Sequence, residues 1–307
     1  MTQISTVTGT ISPEELGVIS VHEHVKPVEG FRRESLDFQV RDLLRAKALG
    51  LSTVVDLTPD RDVEFLKTAS ERSGVRIIPC TGHYVSFTDE ERTYSADRFY
   101  GIWANEVEHG IGNTGIRPGA IKTASAHTVP EGSERIILEA AGRLQRDTGL
   151  PLFVHSCTGW QNQQAILEEA GADLSRVCFS HVEARFGWEG RSLEEQTDLL
   201  EALVKKGSFI SYNNFGNWAH TEPMDLLHLI KEMIRRGHSD KQFATMDAVL
   251  LAKDGQMKVL WEDINPDGRD RMYSYLLREA LPWMERHGVA KEDARKMVCD
   301  NAVRLFR

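Results

Sequence analysis

The feature that most constrains the fold is a repeated alternation of short apolar segments with longer amphipathic ones. The apolar segments have the length of single strands and are almost continuously hydrophobic, as is usual for parallel strands covered on both faces. Eight such segments are predicted as strands: Val18–Val21, Ser52–Leu57, Val75–Cys80, Gly119–Thr123, Pro151–His155, Arg176–His181, Gly207–Tyr212 and Gln242–Asp247.

Helical patterns occupy the intervals, and most of them end on a glycine that suits a helix C-cap. They cover Asp37–Gly50, Arg61–Gly74, Ser133–Gly149, Gln161–Gly171, Leu193–Gly207, Asp225–Gly237, Arg269–Gly288 and Lys291–Arg304. This alternation predicts a single α/β domain over residues 1–307, a (β/α)8 TIM barrel, which needs roughly 250 residues. An open doubly wound sheet is the alternative, although no G-x-G-x-x-G follows the first strand to support dinucleotide binding.

Three segments lie outside the alternation. Ile4–Ile11 predicts a short N-terminal hairpin over the barrel floor, and a helix is expected near Ala96–His109. The segment 250–269 has the composition of a loop, with Asp254-Gly255 and Pro266-Asp267-Gly268. Long loops after strands three and eight would lie over the C-terminal face of the barrel, where active sites of this fold are built.

Charge and cysteine content limit the classes of partner. The chain carries 37 basic and 46 acidic residues, a net charge of −9, which disfavours nucleic-acid binding. None of the four cysteines forms a C-x-x-C pair, and the N-terminus has no signal-peptide pattern. No apolar run reaches the length of about 18 residues that a membrane span requires. We expect a cytoplasmic enzyme with a small-molecule substrate.

Residues that can bind a metal fall at the ends of the predicted strands. Alternation along a strand points the two histidines of an H-x-H pair in the same direction. One histidine at a strand end is more often structural than a ligand, but the joint placement at the catalytic end of a barrel predicts a metal site. The set is His22, His24, Lys122, His155, His181 and Asp247.

Lys122 requires a separate hypothesis, because an ammonium beside two divalent cations would be repelled. Carbon dioxide can convert a neutral lysine amine to an anionic carbamate with two oxygens. One oxygen to each metal would bridge a pair roughly 3.5–4 Å apart. We therefore expect carboxylated Lys122, an N6-carboxylysine, as the bridge.

The segments VHEHV, GAIKTAS, PLFVHS, FSHVEA and TMDA, in this order, resemble the phosphotriesterase family of the amidohydrolase superfamily, which includes phosphotriesterase-like lactonases. The resemblance covers nearly the whole chain and implies a binuclear site. His22, His24 and Asp247 would hold the more buried metal and His155 and His181 the other, with carboxylated Lys122 and a hydroxide between them. Zn2+ is the expected ion, and Mn2+, Fe2+ and Co2+ suit the same ligands. The resemblance also implies a homodimer.

The pocket and the proton relay depart from the better-known members. The resemblance places Asn214 at a position in the loop after strand seven where organophosphate-degrading members have a histidine. Lactonase members have an arginine there. Ala184 and Glu183 occupy the region of the relay aspartate that follows the strand-six histidine. Expected substrate-binding residues are Tyr84, Arg185, Asn214 and Trp261.

The expected reaction is attack of the metal-bridging hydroxide on a small carboxylic ester, lactone or amide, with Asp247 as the catalytic proton acceptor. The alternative is a phosphotriesterase or phosphodiesterase that hydrolyses organophosphates. A metal-binding protein without activity would be expected to lack some ligand positions, and all six are present. A zinc deaminase acting on nucleic acid would need an H-x-E…P-C-x-x-C pattern, which is absent.

Overall fold

A computed structural model describes residues 2–27, 33–58, 60–253, 256–260 and 271–307. The chain begins with an antiparallel hairpin, β1 (Ile4–Thr6) and β2 (Gly9–Ile11), as the sequence predicts. Eight parallel strands then form one sheet in their order along the chain. They are β3 (Val18–Glu23), β4 (Leu51–Asp56), β5 (Arg76–Gly82), β6 (Ala120–Ala124), β7 (Leu152–His155), β8 (Val177–Phe179), β9 (Phe209–Tyr212) and β10 (Gln242–Ala244).

Backbone hydrogen bonds between the first and last strands bring the sheet round on itself. The Asp247 N–H donates to the His22 carbonyl at 3.0 Å, and the His24 N–H donates to the Ala248 carbonyl at 3.2 Å. Both bonds lie at the C-terminal ends of β3 and β10. Sequential strand order together with this closure confirms the TIM barrel and excludes the doubly wound alternative.

Helices occupy the intervals that the sequence predicts, and several begin or end at the expected caps. The Asp62 side chain accepts the Phe65 N–H at the start of α2, and Gly74 ends that helix with φ of 65°. The helices are α1 (Arg33–Ala48), α2 (Val63–Ser73), α3 (Ala96–His109), α4 (Gly132–Thr148), α5 (Trp160–Glu169), α6 (Leu193–Lys205), α7 (Pro223–Arg235), α8 (Tyr273–Tyr275), α9 (Leu281–Arg286), α10 (Lys291–Val298) and α11 (Asp300–Phe306).

Two predicted helices are interrupted. A π-helical turn, Leu276–Ala280, separates α8 from α9 within the predicted helix Arg269–Gly288. Cys299 has φ of −148° and ψ of −76°, outside the helical region, and divides the predicted helix Lys291–Arg304 into α10 and α11.

The floor of the barrel is filled by apolar side chains. Hairpin residues Ile4 and Ile11 share one buried cluster with side chains from the strands and from α11, including Phe153, Cys178, Phe209, Phe243, Leu305 and Phe306. A second cluster packs the outer surface of the strands against the helices.

The loop predicted at 250–269 is wrong over its first part. β11 (Leu250–Lys253) pairs antiparallel with β12 (Gln256–Val259), and Leu250 lies opposite Val259. Both of these side chains are buried, which favours a hairpin over a loop. Trp261 lies outside the described residues. In the part of the chain that the structure describes, no helix combines the length and apolarity that a bilayer span requires.

Candidate metal centre

The side chains at the ends of β3, β6 and β10 converge at the C-terminal end of the barrel. Nε2 of His24 lies 3.1 Å from Oδ1 of Asp247, and Nε2 of His22 lies 3.5 Å from the same oxygen. The Lys122 Nζ lies 3.1 Å from Nε2 of His22. His22, His24 and Asp247 therefore form a group whose ligand atoms all lie within 4.8 Å of one another.

A second group is built on β7 and β8. Nδ1 of His155 lies 2.9 Å from Nε2 of His181, which is also 3.8 Å from Oδ2 of Asp247. These two histidines and His22 again offer ligand atoms within 4.8 Å of one another. The structure thus brings together all six residues that the sequence singled out as metal ligands, in two overlapping groups of three donors with Lys122 beside them.

Three of the six, His24, His181 and Asp247, do not end their strands but lie just beyond them, and Lys122 lies within β6. β8 ends at Phe179 and β10 at Ala244, whereas His181 and Asp247 follow with φ of 57° and 48°. This left-handed conformation is uncommon for residues other than glycine and is frequent at functional sites. It turns the chain after each strand, so that the ligand comes from a bend rather than from the sheet.

Hydroxyl groups orient the two histidines of the H-x-H pair. The Thr58 hydroxyl donates its proton to Oδ2 of Asp56 at 3.2 Å and must therefore accept the hydrogen bond from Nδ1 of His24 at 3.1 Å. Nε2 of His24 is then the ring nitrogen that faces the centre. His22 places Nδ1 2.9 Å from the Ser180 hydroxyl, which leaves its Nε2 directed inward as well. Such outer partners are typical of metal-ligating histidines.

Burial keeps the imidazoles and the lysine towards their neutral forms. Desolvation lowers the pKa of His22 and of His155 well below the usual value, and it lowers the pKa of His181 to about 4. Desolvation likewise lowers the pKa of Lys122 to about 8. Neutral imidazole is the form that binds a metal, and a neutral amine is the form that reacts with carbon dioxide.

Asp247 supplies the negative charge of the centre. Burial alone would raise the pKa of its carboxyl, but a close polar contact with His24 and electrostatic interaction with the His181 and His22 side chains hold the pKa well below the usual value. Oδ1 is buried and has no hydrogen-bond donor within the described residues. Its neighbour at 3.1 Å is Nε2 of His24. A buried carboxylate oxygen this close to an imidazole nitrogen suits a site in which both atoms would bind one cation.

Tyr84 is the predicted pocket residue that the structure places against the centre. Its hydroxyl lies 3.2 Å from Nε2 of His155, and the two rings meet edge to face with centroids 5.0 Å apart. Burial raises the pKa of Tyr84 to about 12, so the phenol keeps its proton at neutral pH. It can therefore donate a hydrogen bond beside the histidine cluster.

Two other predicted pocket residues, Arg185 and Asn214, lie in the segments that follow β8 and β9. The exposed Arg185 side chain pairs with Asp225 and lies over the ring of Trp188. The backbone N–H of Asn214 donates to Oε1 of Glu183 at 2.6 Å. Trp261 cannot be placed, because it lies outside the described residues.

Glu183, in the region of the relay aspartate, binds the backbone of a neighbouring loop. Its Oε1 accepts the N–H groups of Asn213 and Asn214, both at 2.6 Å, and so the carboxylate faces the backbone of the loop after β9. Desolvation raises the pKa of this buried group to about 7.

The sequence analysis missed two buried charged residues next to the centre, Glu23 and Arg271. Glu23 stands between the two histidines of the H-x-H pair, is fully buried, and has a pKa that desolvation raises to about 7. Arg271 is 3% exposed and donates to backbone carbonyls. An acidic residue within a strand covered on both faces was the available signal for Glu23. No local pattern marked Arg271.

Similar proteins agree with this site. The sequence model of the phosphotriesterase family matches residues 2–306. A phosphotriesterase homology protein of Mycobacterium tuberculosis is 27% identical, with 100% of this chain and 98% of that protein covered. The N-acetyltaurine hydrolase of Tetraodon nigroviridis is 26% identical, with 97% and 96% covered.

Solved structures show the same relationship. The phosphotriesterase from Mycobacterium tuberculosis superposes with a TM-score of 0.84 at 26% identity, covering 99% of this chain and 98% of the other. A mutant of a phosphotriesterase-like lactonase from Deinococcus radiodurans gives a TM-score of 0.87 at 25% identity, covering 99% and 100%. With the barrel and the histidine cluster described above, these matches show that the chain is a hydrolase and belongs to the phosphotriesterase family.

Proposed function

We propose that this protein uses two divalent metal ions to hydrolyse the acyl bond of a small carboxylic ester, lactone or amide, and that an amide is the first substrate to test. The observation that carries the proposal is the convergence of His22, His24, His155, His181 and Asp247 around a buried lysine. Four imidazoles and one carboxylate suit zinc, and Mn2+, Fe2+ or Co2+ would fit the same donors.

The donors divide into two sets by their contacts. His22, His24 and Asp247 would hold one ion, and His155 and His181 the other, with Lys122 as a carbamate between them. When bound, the metal pair supplies an ionised water as nucleophile and a Lewis acid for the carbonyl oxygen. Asp247 accepts the proton that the nucleophile releases, because its carboxylate remains ionised at neutral pH and contacts both histidine sets.

Two pocket residues complete the proposed role assignment. Tyr84 keeps its phenolic proton and donates a hydrogen bond to the acyl group from the His155 side of the centre. Asn214 can donate and accept hydrogen bonds but cannot carry a proton away, so the relay from Asp247 to solvent does not pass through it. Arg185 and Trp261 are proposed to contact the part of the substrate that lies outside the reacting bond.

The relatives support acyl substrates. Several curated relatives that align over nearly the whole chain are named N-acetyltaurine hydrolase, an activity on an amide. A structural neighbour is named a phosphotriesterase-like lactonase, an activity on a cyclic ester. Phosphotriester hydrolysis is the second candidate because the neighbour from Mycobacterium tuberculosis is named a phosphotriesterase. The asparagine at position 214, in place of histidine, argues against it.

The test is a substrate panel on protein reconstituted separately with Zn2+, Mn2+ and Co2+. It contains N-acetyltaurine, N-acetyl amino acids, γ- and δ-lactones, simple aryl esters and paraoxon. Expected is chelator-sensitive turnover of at least one acyl substrate, with kcat/KM above that for paraoxon. Turnover of paraoxon alone would replace the proposal by the second candidate. Undiminished turnover in metal-free protein would remove the metal from the mechanism.

A further inference from the structure

We propose that Glu23 and Arg271 are a pair of positioning residues that fix the direction of the Asp247 carboxylate by binding the peptide groups around it. This rests on the proposed role of Asp247 as a metal ligand. Neither residue touches the reacting atoms. They act through the backbone of residues 246–248.

Glu23 binds the peptide N–H groups on both sides of Asp247. Its Oε1 accepts the Met246 N–H at 3.1 Å, and its Oε2 accepts the Ala248 N–H at 2.8 Å. The hydroxyls of Ser20 and Thr245 donate to the same carboxylate. One side chain from β3 thus spans the residue before Asp247 and the residue after it.

Arg271 binds the same segment from its carbonyl side. Its Nη2 donates to the Met246 carbonyl at 2.5 Å and also to the Asn213 carbonyl, while its Nε donates to the Phe215 carbonyl at 2.7 Å. The guanidinium therefore joins the segment after β10 to the loop after β9. A buried arginine generally contributes less stability than an apolar residue of similar size. Retention of the charge here fits a role other than packing.

The two residues together account for the bend at Asp247. The Met246 N–H donates to Glu23, and the Met246 carbonyl accepts a hydrogen bond from Arg271. The Asp247 N–H donates to the His22 carbonyl at 3.0 Å. Asp247 has φ of 48°, in the left-handed region that residues other than glycine seldom adopt. The surrounding hydrogen bonds stabilise this conformation, so the chain aims the carboxylate at His22 and His24 before any metal binds.

The experiment compares Glu23→Gln, Arg271→Lys and Arg271→Met with wild type and with the control Glu134→Gln. Gln keeps the shape of Glu23 but places an NH2 group against an amide donor, and Lys keeps the charge of Arg271 without its planar fork. Glu134 is also a buried carboxylate that accepts loop amides, those of Ala126 and His127, but on the β6 side of the barrel.

Metal binding is the main measurement. Proteins loaded with two equivalents of Co2+ are mixed with a chelator, and the loss of each equivalent is followed by its visible absorption. Loss of outer partners of a metal ligand typically weakens metal binding roughly 10–100-fold. In the three test variants, we expect one equivalent of Co2+ to be lost roughly 10–100-fold faster than in wild type. The rate of loss of the other equivalent should change less than about 3-fold, as should both rates in Glu134→Gln.

A kinetic split separates positioning from general loosening of the fold. At saturating metal, we expect kcat to fall about 10-fold or more in the test variants with KM within about 2-fold, since the pocket residues are untouched. Metal loss and kcat equal to those of Glu134→Gln would overturn the inference. If Glu23→Gln does not fold, the rate of metal loss and the kcat of Arg271→Lys, each compared with wild type, test the inference. A wild-type protein that binds no metal would instead remove the proposed function.

Discussion

The two sides of the barrel rim hold their site residues in different ways. On one side, which we call the carboxylate arc, carboxylates at or just beyond the strand ends bind the backbone of a neighbouring loop. This arc comprises β8, β9, β10, β3 and β4. Asp56 accepts the Val25 N–H at 2.6 Å, Glu23 accepts amides on both sides of Asp247, and Glu183 accepts the Asn213 and Asn214 amides. Each of these carboxylates is at most 1% exposed.

The opposite side, which we call the lysine arc, comprises β5, β6 and β7 and has no acidic residue within these three strands. Lys122 lies in the fully buried strand β6, packed against β5 where Gly82 leaves room for it. A Cβ at Gly82 would lie 1.8 Å from the Lys122 carbonyl oxygen. On the carboxylate arc, carboxylates from the strands and from the loops that follow them bind loop backbone. On the lysine arc that role falls to Glu134 of α4, while Lys122 itself is held by packing within the sheet.

The largest expected effect is on the carboxylate arc, in Asp247→Asn. Because Glu23 and Arg271 hold the backbone, the variant should keep the fold and the side-chain direction while losing the charge and the proton acceptor. Loss of such a group typically lowers turnover about 10²–10⁴-fold. Steady-state kinetics and circular dichroism check it. Wild-type kcat/KM in a folded Asp247→Asn protein would show that the site is assigned to the wrong residue.

On the lysine arc, Lys122→Ala should lower turnover on the order of 100-fold, because the proposed bridging carbamate could no longer form. It should also be partly restored by acetate or propionate, which can occupy the vacated space as a carboxylate. The assay titrates these acids into the variant and into Asp247→Asn. The latter serves as the control, since an added carboxylate should not restore it.

The same arc predicts a pH dependence. Only the neutral amine forms a carbamate, and burial lowers the pKa of Lys122 to about 8, so carbamate formation in metal-free protein should rise with pH through about 8. ¹³C NMR under a fixed pressure of ¹³CO₂ measures the signal, and Lys122→Met provides the blank. A rise only near pH 10, as for a solvated lysine, would contradict the lowered pKa.

The smallest expected effect is on stability, in Glu183→Gln. Desolvation raises the pKa of Glu183 from 4.5 in the unfolded chain to about 7 in the folded one, so the folded state binds its proton more tightly. This group's contribution to stability is thus fully present below about pH 4.5 and is lost as pH rises to about 7. Glu183→Gln has no ionisable group at this position, so its free energy of unfolding should not show this decline with pH.

Urea unfolding of metal-free protein at pH 5 and pH 7.5 checks this sign. The free energy of unfolding of wild type should fall relative to that of Glu183→Gln between the two pH values, while Asp225→Asn, a control in the first turn of α7, should run parallel to wild type. A wild-type value that rises relative to Glu183→Gln would reverse the assigned pKa shift.

The parts of this fold that follow from local pattern were predictable. Eight apolar runs became eight barrel strands, and the ligand candidates at their ends met in space, because parallel strands of a barrel deliver their C-terminal ends to one rim. The bends at His181 and Asp247 were not predictable, since the runs Arg176–His181 and Gln242–Asp247 remain apolar nearly to their last residue.

The supporting residues required the structure. Glu23 acts on a segment more than 200 residues away, and Arg271 joins two loops whose approach depends on barrel closure. Hydrogen bonds to backbone amides leave no side-chain pairing in the sequence. The hairpin of β11 and β12 was missed because its short strands are flanked by residues of loop composition.

The left-handed backbone at His181 and Asp247 has a consequence for how this scaffold can diverge. At such positions a β-branched or bulky replacement is strained, whereas Asn, Asp, His and Gly are tolerated. The backbone conformation therefore limits which residue types these two ligand positions tolerate, independently of the metal. Natural variation there should be confined to short polar residues or glycine, and new specificities should arise by exchange of the loops rather than of these two ligands.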